Sequence, residues 1–235
     1  METAKVLKFP KNIAYICEIY YLCTLFVEMV NMANQKEDIL KLAAREMQKV
    51  GIRSVSVDDI CRELGMSKKT FYVYFASKDA LVECILRMGE AEGKKKLENI
   101  LTKKSIVQCI VEWTHIAKQS DKCRQETPPL LYDLQKYYPN IHKEHQKRLQ
   151  ATMQGIVAQF LEKGKGEGIF RKEIDNAITA SLFVNMHMGI MEYTQRNQLS
   201  MTEALTYNHQ AMDILLRGVF TSEGLKVLEN EVNNK

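Results

Sequence analysis

Two serines ten residues apart, Ser67 and Ser77, constrain this chain more tightly than any other feature. Serine is a strong helix N-cap, because its hydroxyl accepts from backbone N–H groups that the first turn leaves free. The stretch Ser67-Lys-Lys-Thr-Phe-Tyr-Val-Tyr-Phe-Ala-Ser-Lys78 therefore holds one helix of about two turns, stopped where the next begins. Phe71 and Phe75 are four apart and share its buried face. Lys68, Lys69, Thr70 and Tyr72 fall on or beside the opposite face, and the stretch carries three lysines and no acid. A short helix anchored by two aromatics, with cations and hydroxyls outward, suits an anionic partner, and the major groove of DNA fits it.

The preceding residues complete the pattern. Ser56-Val-Asp-Asp59 has the capping-box form, with acids in the first turn where the helix dipole favours them. Val57, Ile60, Cys61 and Leu64 then make one apolar stripe, and Gly65 suits the left-handed residue that ends a helix. Helix, tight glycine turn, helix is the helix-turn-helix arrangement. Residues 36–50 form a helix before it, with Ile39, Leu42, Ala43, Met47 and Val50 on one stripe and Gly51 at its end. Asp79, Leu81, Val82, Ile85 and Met88 continue into a long fourth helix.

The runs Val55–Ile60, Leu64–Ser67, Thr70–Phe75 and Ser77–Leu81 resemble the signature of the TetR/AcrR family of bacterial transcriptional regulators, over roughly residues 36 to 88. Gly164-Lys-Gly-Glu-Gly-Ile-Phe-Arg171 is similar to a glycine-rich turn found before that family's dimerisation helices. The resemblance implies an all-α fold: an N-terminal three-helix DNA-binding domain, then a larger helical domain for ligand binding and dimerisation. It further implies a homodimer that binds a palindromic double-stranded operator as a repressor and is released by a small-molecule effector. Ser56, Ser67, Lys68, Lys69, Thr70, Tyr72, Tyr74 and Lys78 are the candidate DNA-binding residues. Lys68, Lys69 and Thr70 stand where base edges are reached, and Tyr72, Tyr74 and Lys78 where phosphates are held.

The expected division is an N-terminal extension over 1–33, the DNA-binding domain over 34–80, the ligand and dimer domain over 81–225, and a polar tail over 226–235. Ile13–Val30 is apolar but short for a membrane span and carries Glu18 and Glu28, so it reads as an appendage rather than an anchor. The alternative is a dimeric helical module for a small molecule or protein, membrane-associated through residues 13–30. Six cysteines without Cys-x-x-Cys spacing read as reduced thiols in a cytoplasmic protein. The net charge of +4 is too small to argue for nucleic acid by itself; the local excess over Ser67–Lys78 carries that argument.

Beyond residue 105 the pattern stays helical. Pro128-Pro129 opens a short helix, Ile141–Leu161 a long one, and Gly164, Gly166 and Gly168 form a turn. The last two helices, Ile174–Arg196 and Thr202–Phe220, are apolar on more than one face and so call for a partner. Ile178, Leu182, Leu205, Met212 and Leu216 are assigned to the dimer interface. Trp113, Tyr132, Phe160, Phe183, Met186, His187 and Met191 are the candidate ligand pocket, a Met-rich wall between helices. His142-Lys-Glu-His145 has i, i+3 spacing rather than i, i+4 and reads as a polar helix face, so no metal site is expected. No cofactor is implied. No Gly-x-Ser-x-Gly elbow and no paired carboxylates stand out, and the chain is not expected to be an enzyme.

Overall fold

The computed structural model describes residues 35–111, 128–199 and 201–233. Among them the secondary structure is helical apart from one isolated bridge, Phe170 to Phe220. Trp113, the apolar stretch 13–30 and the side chain of Leu205 lie outside what is described. No helix among the described residues is long and apolar enough to cross a membrane.

The chain divides into two compact units, one of which includes the described residues 35–95 and 128–149. Its helices are α1 (Gln35–Val50), α2 (Val57–Glu63), α3 (Lys68–Tyr74), α4 (Lys78–Lys103), α5 (Pro129–Tyr137) and the start of α6 (Pro139–Gly166). Ile39, Ala43 and Met47 of α1, Ile60 of α2, Phe71 of α3, Phe75 and Leu81 are all buried in one core. Each of the larger of these side chains removed from water contributes about 1.5–3 kcal/mol. Val50, expected on the inner stripe of α1, is 52% exposed. It is the last residue of that helix, and the chain turns at Gly51 before the stripe can continue.

A feature not visible in the sequence is the addition of α5 to this core. Leu130 and Leu134 join the same buried cluster, and α5 packs against α1. Asp133, on the same helix, accepts from the Arg53 N–H at 2.8 Å, so a residue eighty positions away fastens the turn between α1 and α2. Gly51 makes room for this, with φ of 88° and space such that a Cβ would meet Asp133 Oδ2 at 2.7 Å. The His142–His145 segment also differs from expectation. His145 is buried, with Nδ1 2.5 Å from Glu90 Oε1, and Arg148 Nε donates to Glu90 Oε2 at 2.9 Å. Burial opposes ionisation of Glu90, but the hydrogen bonds from His145 and Arg148 outweigh it and hold the carboxyl below its usual range.

The second unit includes residues 96–111 and 150–199, α8 (Met201–Val219) and α9 (Ser222–Asn233), with α7 at Asn176–Arg196. Gly164 and Gly166 are not in a turn; α6 runs through both, and the chain turns at Gly168, with φ of 73°. Gly164 has a packing reason instead, since a Cβ there would lie 2.1 Å from the Phe170 ring. Phe170 in turn meets Phe160 at 5.3 Å and Phe220 edge-on at 5.0 Å between ring centroids. Ile178 and Leu182 on α7 are exposed. Met212 and Leu216, also expected at the interface, are instead buried in the core of their own unit. They lie on the inward side of α8, whose exposed large apolar side chains among the described residues are Tyr207 and Ile214.

Candidate nucleic-acid interface

The geometry of α2 and α3 follows from their caps. The Ser56 hydroxyl accepts from the Asp59 N–H at 3.1 Å, while the Asp59 carboxylate accepts from the Ser56 N–H at 3.1 Å, a complete capping box. The Ser56 hydrogen bonds hold the Asp59 carboxyl below its usual range. Leu64 N–H closes α2 on Ile60, and Gly65, with φ of 62°, redirects the chain. Ser67 then accepts from the Thr70 N–H at 3.1 Å and opens α3, and Phe75 N–H closes it on the Phe71 carbonyl at 3.1 Å. Ser77 accepts from the Ala80 N–H at 3.1 Å and opens α4.

Phe71 and Phe75 are 0% and 2% exposed and fix the azimuth of α3. A helix advances about 100° per residue, so Val73 lies about 180° from the mean direction of those two rings. Lys69 stands about 40° from Val73 on the same crest, with Tyr72 and Thr70 on the two flanks. Lys68 and Tyr74 fall nearer the buried side. Exposure in the structure follows this arithmetic: Val73 is 77% exposed and Tyr72 52%.

The candidate residues thus divide by position. Ser56 and Ser67 are caps with their hydroxyls engaged. Lys68 Nζ lies 2.7 Å from Asp58 Oδ1, and that hydrogen bond raises its pKa. The Thr70 hydroxyl is 2.9 Å from Ser67 Oγ. Tyr74 donates its hydroxyl proton to Gln35 Oε1 at 3.1 Å, which ties α3 to the start of α1. Lys78 is half-buried, and desolvation pulls its pKa down despite Asp133 and Asp79 nearby. Lys69 and Tyr72 remain on the outward side of α3. Val73, the most exposed of the large apolar side chains of the helix, is not among the residues the sequence analysis singles out. The spacing of Phe71 and Phe75 places it opposite the buried face.

In the second unit, Phe160 and Phe183 of the expected pocket line a cavity of about 10 Å³, together with Leu97, Met153, Leu216 and Val219. Met186 and Met191 are half-buried beside neither wall of it. His187 is buried and hydrogen-bonded through Nδ1 to Asn208 Oδ1 at 3.1 Å, and burial drives its pKa down to about 4. Tyr132 belongs to the other unit, where it is 49% exposed and lines an open cleft with Arg53 and Tyr137. No cluster of three or more potential metal ligands occurs among the described residues.

The family described as bacterial regulatory proteins, tetR family, matches residues 39–85. YerO of Bacillus subtilis, an uncharacterised HTH-type transcriptional regulator, is 26% identical over 212 residues, covering 86% of this chain and 72% of its own. UidR of Escherichia coli K12, an HTH-type transcriptional regulator, is 24% identical and covers 77% and 90% respectively. Among solved structures, a transcriptional regulator from Cytophaga hutchinsonii superposes with a TM-score of 0.61 at 19% identity, covering 79% of this chain and 98% of that one. Reduced NemR from E. coli gives 0.54 at 14% identity, covering 80% and 97%. Residues 39–85 therefore carry the helix-turn-helix domain of the tetR family of bacterial regulatory proteins, and over most of its length the chain is similar to HTH-type transcriptional regulators.

Proposed function

We propose that this regulator is a homodimeric repressor that binds a palindromic operator through two copies of α3 and is released by a small-molecule effector. The observation that carries the reading is the orientation of α3: Phe71 and Phe75 pin one side into the core while Lys69, Tyr72 and Val73 stand outward. Lys69 then reads base edges, and Tyr72 and the α2 and α3 N-termini capped by Ser56 and Ser67 hold phosphates. Lys68, already paired with Asp58, contributes to the field and Thr70 to the cap. Tyr74 and Lys78 stabilise the unit and lie at the edge of the phosphate-facing surface.

Dimerisation is supported by apolar residues exposed on both terminal helices, Ile178, Leu182 and Tyr193 on α7 and Tyr207 and Ile214 on α8. Leaving that much apolar surface wet is unfavourable, and a second copy would cover it. The division proposed from sequence, 34–80 for DNA and 81–225 for ligand and dimer, assigns these helices to the dimer. An effector would enter the second unit beside Phe160 and Phe183. At about 10 Å³ the cavity there holds no more than a water, so a ligand must spread the helices around it. Release follows only if the effector prefers the spread form. The protein would act in the cytoplasm, where its operator lies.

Selection from a randomised duplex pool with the full chain tests the reading. It should enrich an inverted repeat whose half-site centres lie about 34–36 Å apart. Ile214→Glu should yield a monomer by sedimentation equilibrium and lose that binding. Recovery of no enriched duplex, or an unchanged dimer, would overturn the corresponding half of the proposal.

A further inference from the structure

We infer that Val73 is a specificity residue, reading the 5-methyl group of one thymine in each operator half-site; this rests on the operator-binding reading above. Val73 is the most exposed large apolar side chain among the described residues, at 77%. It is the sixth residue of the seven-residue α3, on the side turned away from the core. Valine loses side-chain rotamer freedom in a helix, so at an exposed position it is a poorer choice than alanine, lysine or glutamate. It touches none of the core that Phe71 and Phe75 anchor, because it points the opposite way.

Its neighbours define what it can meet. Lys69, one turn earlier on the same crest, presents a cation to whatever surface lies against Val73. Tyr72 flanks the pair and is 52% exposed. An apolar protein would be a poor match for a crest that carries a lysine. In the major groove, by contrast, base-edge acceptors and thymine methyl groups lie side by side, and only the thymine methyl gives an apolar side chain a sequence-dependent contact. Lysine paired with guanine acceptors and valine paired with a thymine methyl, one helical turn apart, follow from the crest. The half-site should therefore carry a guanine and a thymine a few base pairs apart.

The test uses the duplex enriched from a randomised pool by the full wild-type chain. Each thymine is replaced in turn by deoxyuridine, which removes the methyl group and nothing else. Affinity is read by fluorescence anisotropy for wild type and Val73→Ala, with Lys69→Ala as a second variant. One thymine per half-site should show a loss of about fourfold with wild type, the worth of one methyl group returned to water. Val73→Ala should bind the unmodified duplex correspondingly less well and lose nothing further on the deoxyuridine duplex. Lys69→Ala should keep the methyl dependence while binding weakly. Because Val73 is exposed, its substitution should leave the thermal midpoint unchanged. The inference is overturned if no thymine is methyl-sensitive, or if the sensitive one stays so in Val73→Ala. An absence of any enriched duplex would instead overturn the operator reading, and this inference with it.

Discussion

Gly51→Ala and Gly65→Ala place the same change at two left-handed turns of the same unit, and they should differ sharply. Both glycines have positive φ, 88° and 62°, a region that costs an L-residue about 1–2 kcal/mol. At Gly65 nothing lies within 4 Å of the added carbon, so that strain is the whole cost. At Gly51 the new Cβ would stand 2.7 Å from Asp133 Oδ2, and the carboxylate must move. Moving it lengthens the 2.8 Å hydrogen bond from the Arg53 N–H, leaving buried polar groups poorly paired, at about 1–3 kcal/mol. Gly51→Ala should therefore cost about 3 kcal/mol and Gly65→Ala about 1. Urea unfolding followed by circular dichroism measures both. Asp133→Ala should be destabilising alone, yet in its background Gly51→Ala should cost no more than Gly65→Ala does. Equal losses for the two glycine variants, or an undiminished Gly51 penalty without Asp133, would refute the claim that α5 fastens the α1–α2 turn.

Two further perturbations follow. Ser56→Ala removes the acceptor for the Asp59 N–H and one half of the capping box, and should lower stability by about 1 kcal/mol in the same assay, with Ser56→Asp retaining most of it. His187 gives a pH dependence: its folded pKa, about 4, lies below the ordinary value because burial excludes the charged ring. Above the ordinary pKa of about 6.5 both folded and unfolded chains hold it neutral; as pH falls toward 4 only the unfolded chain takes up the proton, and stability is lost. His187→Gln should thus remove about 2–3 kcal/mol of the stability that wild type loses between pH 7.5 and 4.5, read as the difference between the two urea curves.

What was legible in the sequence was local. Ser56, Ser67 and Ser77 announce helix starts because a cap needs only residues within one turn of itself. Gly51 and Gly65 announce stops for the same reason, and Phe71 with Phe75 sets the face of α3. What was not legible depends on distant residues. Nothing near Asp133 says that it meets Arg53, and nothing near His145 says that Glu90 and Arg148 bury it among charges. On α7 and α8 the difficulty was of another kind: both helices carry apolar residues on several faces, so periodicity cannot rank them. The structure turns Met212 and Leu216 inward and leaves Ile178, Leu182 and Ile214 exposed. Val73 is apolar yet exposed, and two steps of about 100° from Phe71 put it on the outward side of α3.

The most direct test of the account is the affinity of the full chain for its selected duplex and for a scrambled one, by anisotropy across a salt series. The account predicts tight binding to the selected duplex, falling with a log–log slope of several units as phosphate contacts release counterions, and binding to the scrambled duplex weaker by about 10³-fold or more. Lys69→Ala should shrink that ratio, whereas Tyr72→Ala should weaken both duplexes alike. Equal affinity for the two duplexes, or binding indifferent to salt, would contradict the claim that α3 is a reading head.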